Sequence, residues 1–219
     1  MRRRLTRFRL NSNVSLSLNG TCQKYLGKCL DGGLIYIYNN TINELKDDKN
    51  YLVGKNALYK ANSGKVFIDG YASSYFAFAN NGATAVVLGM DDYGCSFMTN
   101  GVVICLGEIG DNFAYNMTGG IAYVYDEFKT LESKVDIKLV DIVKIDGDDL
   151  LYLSNIINEF KDLTKSKKAT ALSKYINSDL FFKVVPKNYG VMLKMVNSKK
   201  KSGLSFDEAI KEVSKFEKA

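Results

Sequence analysis

Histidine and tryptophan are absent from this 219-residue chain, and proline occurs once, at Pro186. Without histidine, no Ser-His or Cys-His pair can activate a nucleophile. A zinc site also loses its nitrogen ligand. The four cysteines, at 22, 29, 95 and 105, have no C-x-x-C spacing. They therefore read as reduced structural thiols rather than as a metal centre or a disulfide framework. No apolar run approaches the length of a membrane-spanning helix. Arginine is missing from everything after residue 9: all five lie in Met-Arg-Arg-Arg-Leu-Thr-Arg-Phe-Arg, and every later basic residue is lysine. Without that segment the formal charge of +6 falls to about +1. The basic end has four readings. It is an irregular or artefactual end, a nucleic-acid arm, a transit peptide, or a membrane-surface anchor. No aromatic-laced basic patch follows it, as nucleic-acid binding would want. A coil begins by Val14, which leaves little room for a cleavable leader. A surface anchor needs a longer amphipathic helix.

Glycine is what the chain has in pattern. Five segments read as short apolar strands framed by it: Gly33–Tyr38, Gly64–Gly70, Gly82–Gly89, Gly101–Gly107 and Gly120–Tyr125, with a weaker one at Val14–Gly20. The glycines that open four of them, at 64, 82, 101 and 120, are 18, 19 and 19 residues apart. A fixed period near twenty is the mark of one unit stacked on itself, because such a unit cannot bury its apolar face alone. The connecting segments are 12 or 13 residues from glycine to glycine and end in Asp-Gly-Gly, Asn-Gly or Gly-Gly. Those pairs supply positive-φ corners. The unit reads as strand, corner, short strand, corner. That predicts an all-β solenoid, a right-handed single-stranded parallel β-helix, with Gly33, Gly64, Gly70, Gly82, Gly89, Gly101, Gly107, Gly119 and Gly120 as structural corner glycines. Five coils at about 4.8 Å would span roughly 24 Å.

Several of these stretches carry a resemblance. Gly82-Ala-Thr-Ala-Val-Val-Leu-Gly89, Asp92-Tyr-Gly-Cys-Ser-Phe-Met-Thr99, Leu106-Gly-Glu-Ile-Gly-Asp-Asn-Phe-Ala114 and Met117-Thr-Gly-Gly-Ile-Ala-Tyr-Val124 resemble the C-terminal GXGXG domain of the glutamate synthase large subunit. Upstream, Tyr25-Leu-Gly-Lys-Cys-Leu-Asp-Gly-Gly33 is similar to the family's YVGKGLSGG. Downstream, Phe182-Lys-Val-Val-Pro-Lys-Asn-Tyr189 is similar to its F-K-V-M-P-x-D-Y. The likeness runs from about residue 14 to about 193. It implies a non-catalytic structural and assembly domain in the synthesis of glutamate from glutamine and 2-oxoglutarate. This chain would bind no cofactor. FMN and an iron–sulfur cluster would sit on partner chains, the amidotransferase and the FMN-binding synthase, in the cytoplasm. The chain departs from the family where coils expected before residue 14 are lacking, which makes it look N-terminally truncated. Cys29 and Asp31 also replace small family residues, and Tyr93 stands where the family often has histidine. The missing coils suggest that the open N-terminal end is occupied by another chain or by a second copy. The alternatives are a free-standing β-helix binding or assembly module and a protein like the formylmethanofuran dehydrogenase subunit that shares the coil motif. Neither nucleic acid nor membrane is expected as a partner.

The remaining segments complete three divisions: 1–13, a basic irregular segment; 14–145, the β-helix; and 146–219, a helical cap. Residues 39–53 read as a surface excursion, and Val135–Val143 alternates like a strand that closes the last coil. From Asp148, the expected N-cap, apolar residues recur three and four apart, from Leu150 to Leu163. Further helices are expected at 168–176, 187–196 and 206–216, the last opened by the Ser205/Glu208 capping box. Such a tail would cover the edge of the final coil. The acidic clusters Asp91-Asp92 and Asp146/Asp148/Asp149 lack the full calcium-loop pattern and read as caps and solvated loops. The expected catalytic, cofactor and metal residues in this chain are none. Tyr36, Tyr38, Phe67, Phe97, Phe113, Tyr123 and Tyr125 read as stacks along the solenoid.

Overall fold

The fold was established from a computed structural model, which describes residues 10, 13–39, 49–174, 176–187 and 189. Strands β1 (Ser15–Asn19), β2 (Asp31–Tyr38), β3 (Tyr51–Val53), β4 (Ser63–Ala72), β5 (Asn81–Met90), β6 (Asn100–Cys105) and β7 (Ile121–Tyr125) are followed by a single turn of helix, α1 (Leu131–Lys134). Then come β8 (Val140–Lys144), α2 (Gly147–Thr164), α3 (Lys167–Lys174) and β9 (Phe181–Pro186). The chain is a parallel β-solenoid. Strand β1 pairs with β2, β2 with β4, β4 with β5, β5 with β6 and β6 with β7, all parallel. Register puts like residues on like. One inward column runs Leu16, Ile35, Val66, Ala85, Val103, Ala122 and a second runs Leu18, Ile37, Ile68, Val87, Cys105, Val124. Alternation in a strand sends every second side chain inward, so stacked strands with the same pattern build a continuous interior without any helix.

Each coil has three walls. The long strands form the first. A second, narrow wall is the column Cys22, Val53, Ala72, Met90, Ile109, built from β3, the ends of β4 and β5, and isolated bridges. The third wall replaces the expected corner with a run of tight turns at residues 24–29, 55–60, 74–79, 92–97 and 111–116. In each turn the second, fourth and sixth residues are left-handed, with φ between 52° and 65°. They are Tyr25, Gly27 and Cys29; Asn56, Leu58 and Lys60; Tyr75, Ala77 and Ala79; Tyr93, Cys95 and Phe97; and Asn112, Ala114 and Asn116. For an isolated non-glycine residue this conformation costs about 1–2 kcal/mol. Here the alternation aims successive amides at the coils above and below. Tyr25 N–H donates to Lys55 O (3.0 Å), and Leu58 N–H donates back to Leu26 O (2.7 Å). The same exchange recurs at Tyr75 to Asp92 O (2.9 Å) and Cys95 to Phe76 O (2.8 Å). Within each turn, bonds such as Phe78 N–H to Tyr75 O (3.4 Å) close the chain on itself. The buried backbone is therefore satisfied by stacking, which is what makes the strained residues tolerable.

The last coil is closed by sheet. Strand β9 pairs antiparallel with β7, and β8 pairs antiparallel with β9 on its far side. Val184 and Ile142 thereby extend the first inward column beyond Ala122. The solitary Pro186 ends β9 against Val140, at a strand end where a missing N–H is harmless. Of the helix expected at 187–196 only Lys187, a turn residue, and Tyr189, a helical one, are described; the rest of it and the whole of the one at 206–216 lie outside the described residues. Of the alternating stretch 135–143, only the second half is strand: Val135 bridges to Phe113 and a turn intervenes before Val140.

Helices α2 and α3 lie on the outer side of the strand wall, not on the edge that β9 fills. The outward residues Phe67, Val86, Ile104 and Tyr123 form one buried cluster with Leu153, Ile156, Ile157 and Phe160 of α2 and with Ala169 and Leu172 of α3. Phe67 and Phe160 meet edge to face with ring centroids 5.8 Å apart. The N-cap of α2 is Asp146 rather than Asp148. Asp149 N–H donates to Asp146 Oδ1 (2.9 Å), and Asp146 N–H donates to Asp149 Oδ2 (3.1 Å), a reciprocal capping box.

Candidate interaction surface on the turn wall

The corner glycines divide by physical reason. Gly33, Gly64, Gly82, Gly101 and Gly120 have left-handed φ, whereas Gly70, Gly89, Gly107 and Gly119 do not. At Gly101 (φ 93°) a Cβ would also lie 2.5 Å from Ala83 O, so both backbone and space require glycine. The other four serve close approach alone. A Cβ on Gly107 would lie 2.5 Å from Leu88 O of the coil beneath, one on Gly89 would strike the Tyr71 ring, and one on Gly119 would strike Thr99 O. Asn80, fully buried, holds the next corner by exchanging two bonds with Ala83, Nδ2 to O (2.9 Å) and N–H to Oδ1 (3.1 Å).

Several titratable groups are tied into the scaffold. Asp149, 8 % exposed, accepts from Tyr123 Oη (2.6 Å) and Lys183 Nζ (2.6 Å). Burial pushes its carboxyl up, but the Lys183 and Tyr123 hydrogen bonds, the Asp146 amide and the Lys183 charge outweigh burial and hold it below the ordinary aspartate range. This knot fixes the N-terminus of α2 to β7 and β9. A second group lies where the strand wall bends into the narrow wall. Tyr51 Oη donates to Asp91, Lys49 pairs with Glu108 (2.8 Å), and Lys49 sits 5.5 Å over the Tyr71 ring. Burial, followed by neighbouring acids, pushes both Tyr51 and Tyr71 up to about 12. Cys105 rises to about 12 by burial, and Cys95 is raised well above the ordinary thiol value for the same reason. These thiols stay protonated and poorly nucleophilic. Among the described residues no three His, Cys, Asp or Glu side chains are grouped to hold a metal ion. No helix among them is long and apolar enough to cross a membrane.

Two open clefts flank α1. One, about 460 Å³, is lined by Asp111, Phe113, Tyr115, Lys134 and Ile137 among others; Lys134 is already paired with Asp111 (2.6 Å). The other, about 480 Å³, is lined by Asp126, Leu131, Ile142, Lys144 and Phe182 among others. Asp126 is occupied in capping the next turn, accepting from Thr130 N–H (2.8 Å) and Leu131 N–H (3.2 Å).

The turn wall is different, because its outward side chains form a ridge of rings. Tyr25 meets Tyr59 (6.3 Å), Tyr59 stacks on Phe78 (5.6 Å), Phe78 lies tilted against Phe97 (5.1 Å), and Phe97 meets Tyr115 (5.9 Å). A second file stacks Tyr75 on Tyr93 (5.1 Å). The ridge spans all five turns, about 19 Å at the spacing of stacked strands. Phe97 is 43 % exposed and Tyr115 39 % exposed. Lys28 lies 5.1 Å over Tyr25 and 5.5 Å over Tyr59, and Lys60 lies 5.6 Å over Tyr59. The other rings of the ridge are half-buried, and a continuous file of part-exposed rings with a polar rim is a candidate interaction surface. Of the aromatics singled out in the sequence, Phe67, Tyr123 and Tyr125 are buried beneath the helices and Phe113 is in the interior. Tyr36 and Tyr38 stack on each other within β2 (6.2 Å), and only Phe97 belongs to this ridge. The remaining rings of the ridge escape a reading by strands, although Tyr59, Phe78 and Phe97 are spaced by 19 residues, the period of the glycines.

The model of the GXGXG-motif family matches residues 5–187. The chain is similar to the glutamate synthase [NADH] of Schizosaccharomyces pombe, 39 % identical over 194 residues that cover 87 % of this chain and 9 % of that protein. It is 36 % identical to the glutamate synthase [NADPH] large chain of Bacillus subtilis over 201 residues, 90 % of this chain and 13 % of that one. It is 35 % identical to the ferredoxin-dependent glutamate synthase of Pyropia yezoensis over 182 residues, 81 % of this chain and 12 % of that one. The chain thus spans about a tenth of the length of these relatives.

Proposed function

This chain belongs to the GXGXG-motif family and is a glutamate synthase domain, and from that premise we propose that it is the non-catalytic structural and assembly unit of such an enzyme. In this reading the enzyme makes glutamate from glutamine and 2-oxoglutarate in the cytoplasm. The amidotransferase and FMN-binding synthase elements, with FMN and the iron–sulfur cluster, lie outside these residues. This chain supplies a rigid post with defined walls on which they are arranged.

The observation that carries the reading is how the chemistry-bearing side chains are used. Asp149, Lys183 and Tyr123 bond one another, Asp126 and Asp146 cap turns, and Cys95 and Cys105 line the interior. The aromatic ridge, with Phe97 and Tyr115 about two-fifths exposed, suits contact and not proton transfer. The test is a pull-down of the tagged chain from its native extract, with mass spectrometry of what accompanies it. Recovery of amidotransferase and FMN-binding synthase polypeptides is expected. Recovery of the chain alone, with no synthase activity in the eluate, would overturn the proposal.

A further inference from the structure

The ridge carries an ordered charge. Its first two turns hold Lys24, Lys28, Lys55 and Lys60, its third (74–79) holds none, and its fourth and fifth open with Asp92 and Asp111. The bonds between coils put the leading residues of the turns in one column. Tyr25 N–H donates to Lys55 O, Asn56 N–H to Ser74 O (3.1 Å), Tyr75 N–H to Asp92 O and Tyr93 N–H to Asp111 O (2.8 Å). The column therefore reads Lys24, Lys55, Ser74, Asp92, Asp111. It is antisymmetric about its middle: positive, positive, neutral, negative, negative.

A surface with that pattern is complementary to itself. Two copies placed face to face with their coil stacks antiparallel are related by a two-fold axis along the third turn. The rotation brings coil one against coil five and coil two against coil four. Lys55 then faces Asp92 of the other copy, Lys24 faces its Asp111, and Ser74 meets its own mate on the axis. An isologous contact has this property, that residue i meets j while j meets i. The same operation lays the exposed rings of Phe97 and Tyr115 on the basic half of the ridge, where Tyr59 and its two lysines lie, an arrangement that favours cation–π contact. Asp111 is shared with Lys134 (2.6 Å), so Lys55 and Asp92 carry the discriminating pair.

We propose that the turn ridge is an isologous interface between two copies of this chain, with the two-fold axis passing at Ser74. The surface lies on the turn wall, away from the β1 edge of the sheet, and does not depend on the glutamate synthase reading. The full chain is tested by sedimentation velocity against concentration. A dimer is expected, weakened by salt, since exposed pairs are screened. Lys55→Asp and Asp92→Lys each place like charges opposite one another twice per dimer and weaken it about tenfold or more, and the double variant restores it. Asp92 Oδ1 also accepts Asp111 N–H (2.8 Å), so Asp92→Lys could disturb the turn itself. Disulfide trapping decides independently. Under mild oxidation Ser74→Cys gives a covalent dimer beyond the wild-type background, and Lys55→Cys does not. The proposal is overturned by a wild-type monomer at all concentrations, by a dimer indifferent to both single reversals, or by cross-linking that does not favour position 74. Binding of a catalytic chain to the ridge of a monomer is one form of the first result.

Discussion

The strand wall and the turn wall of this solenoid both carry apolar ladders across the coils, and they meet different fates. On the strand wall Phe67, Val86, Ile104 and Tyr123 lie beneath α2 and α3 and are at most 3 % exposed. On the turn wall Tyr59, Phe78, Phe97 and Tyr115 are covered by no described element, and the outermost two are about two-fifths exposed. The strand wall is built from relaxed backbone and is finished within the chain. The turn wall is built from left-handed residues held by bonds between coils, and it faces outward. A repeat makes ladders on every wall whether or not each is needed, because stacking copies the same side chain upward. Covering one wall with an amphipathic helix turns it into core. Leaving the other bare keeps it available for association.

The largest contrast is expected from two phenylalanines. Phe160→Ala opens a cavity under the strand wall and is expected to cost about 4 kcal/mol in a denaturant titration. Phe97→Ala on the ridge changes folding stability by roughly 0.5 kcal/mol or less, as surface substitutions do, and instead weakens association. If the two cost the same stability, the walls do not differ as described.

Next in size is the knot that seats α2. Asp149→Ala leaves the Lys183 ammonium, whose side chain is 20 % exposed, without its partner and removes half of the capping box. A loss of about 3 kcal/mol is expected, in the range for breaking a buried pair. The pH dependence has a fixed sign. Asp149 binds its proton less readily folded than unfolded, so its contribution is complete above the unfolded aspartate value of about 3.9 and disappears as pH falls through the lower folded value. Acid titration of wild type against Asp149→Asn should therefore show the wild-type advantage shrinking below about pH 4. An advantage that grows on acidification would contradict the assignment.

The turns themselves give the smaller effects. Ala77 is buried at φ 56°. Ala77→Val asks a β-branched side chain to be left-handed in a packed interior and should cost about 2 kcal/mol. Lys60 is exposed at φ 53°. Lys60→Gly should stabilise the fold by up to about 1 kcal/mol by relieving strain, less whatever its contact with the Tyr59 ring contributes. Thermal melts of the pair check both signs.

Much of this is legible in the residues. The glycine period announces stacked coils, and the strands fall where the apolar runs lie. The Leu150–Leu163 periodicity marks α2, because that helix buries one stripe. The left-handed turns are not legible, since apart from Gly27 and the asparagines at 56, 112 and 116 their residues are Tyr, Cys, Leu, Ala, Lys and Phe, which do not advertise positive φ. Only the stacked neighbours make those conformations tolerable, and neighbours in space are not written locally. Sequence pattern alone assigns Gly107 and Gly119 to backbone freedom, whereas their role is room for a carbonyl of the coil beneath. Closure by β9 is hidden because Phe181–Pro186 becomes a strand through its antiparallel fit to Tyr125–Ala122, a contact about 60 residues apart in sequence. The N-cap moves from Asp148 to Asp146 because three aspartates crowd one turn and only the reciprocal bond with Asp149 distinguishes them. The ridge is hidden for a related reason: apolar periodicity is sought along the strands, and its rings repeat in the loops between them.

Hydroxyl-radical footprinting of the full chain across a concentration series most directly tests the contrast between the walls. Phe67 and Phe160 should be protected at every concentration, while Phe97 and Tyr115 are modified in dilute solution and become protected as the chain associates. Ridge residues that are modified equally at all concentrations, in the isolated chain and in any complex recovered from extract, would contradict the claim that the turn wall is the surface through which this protein assembles.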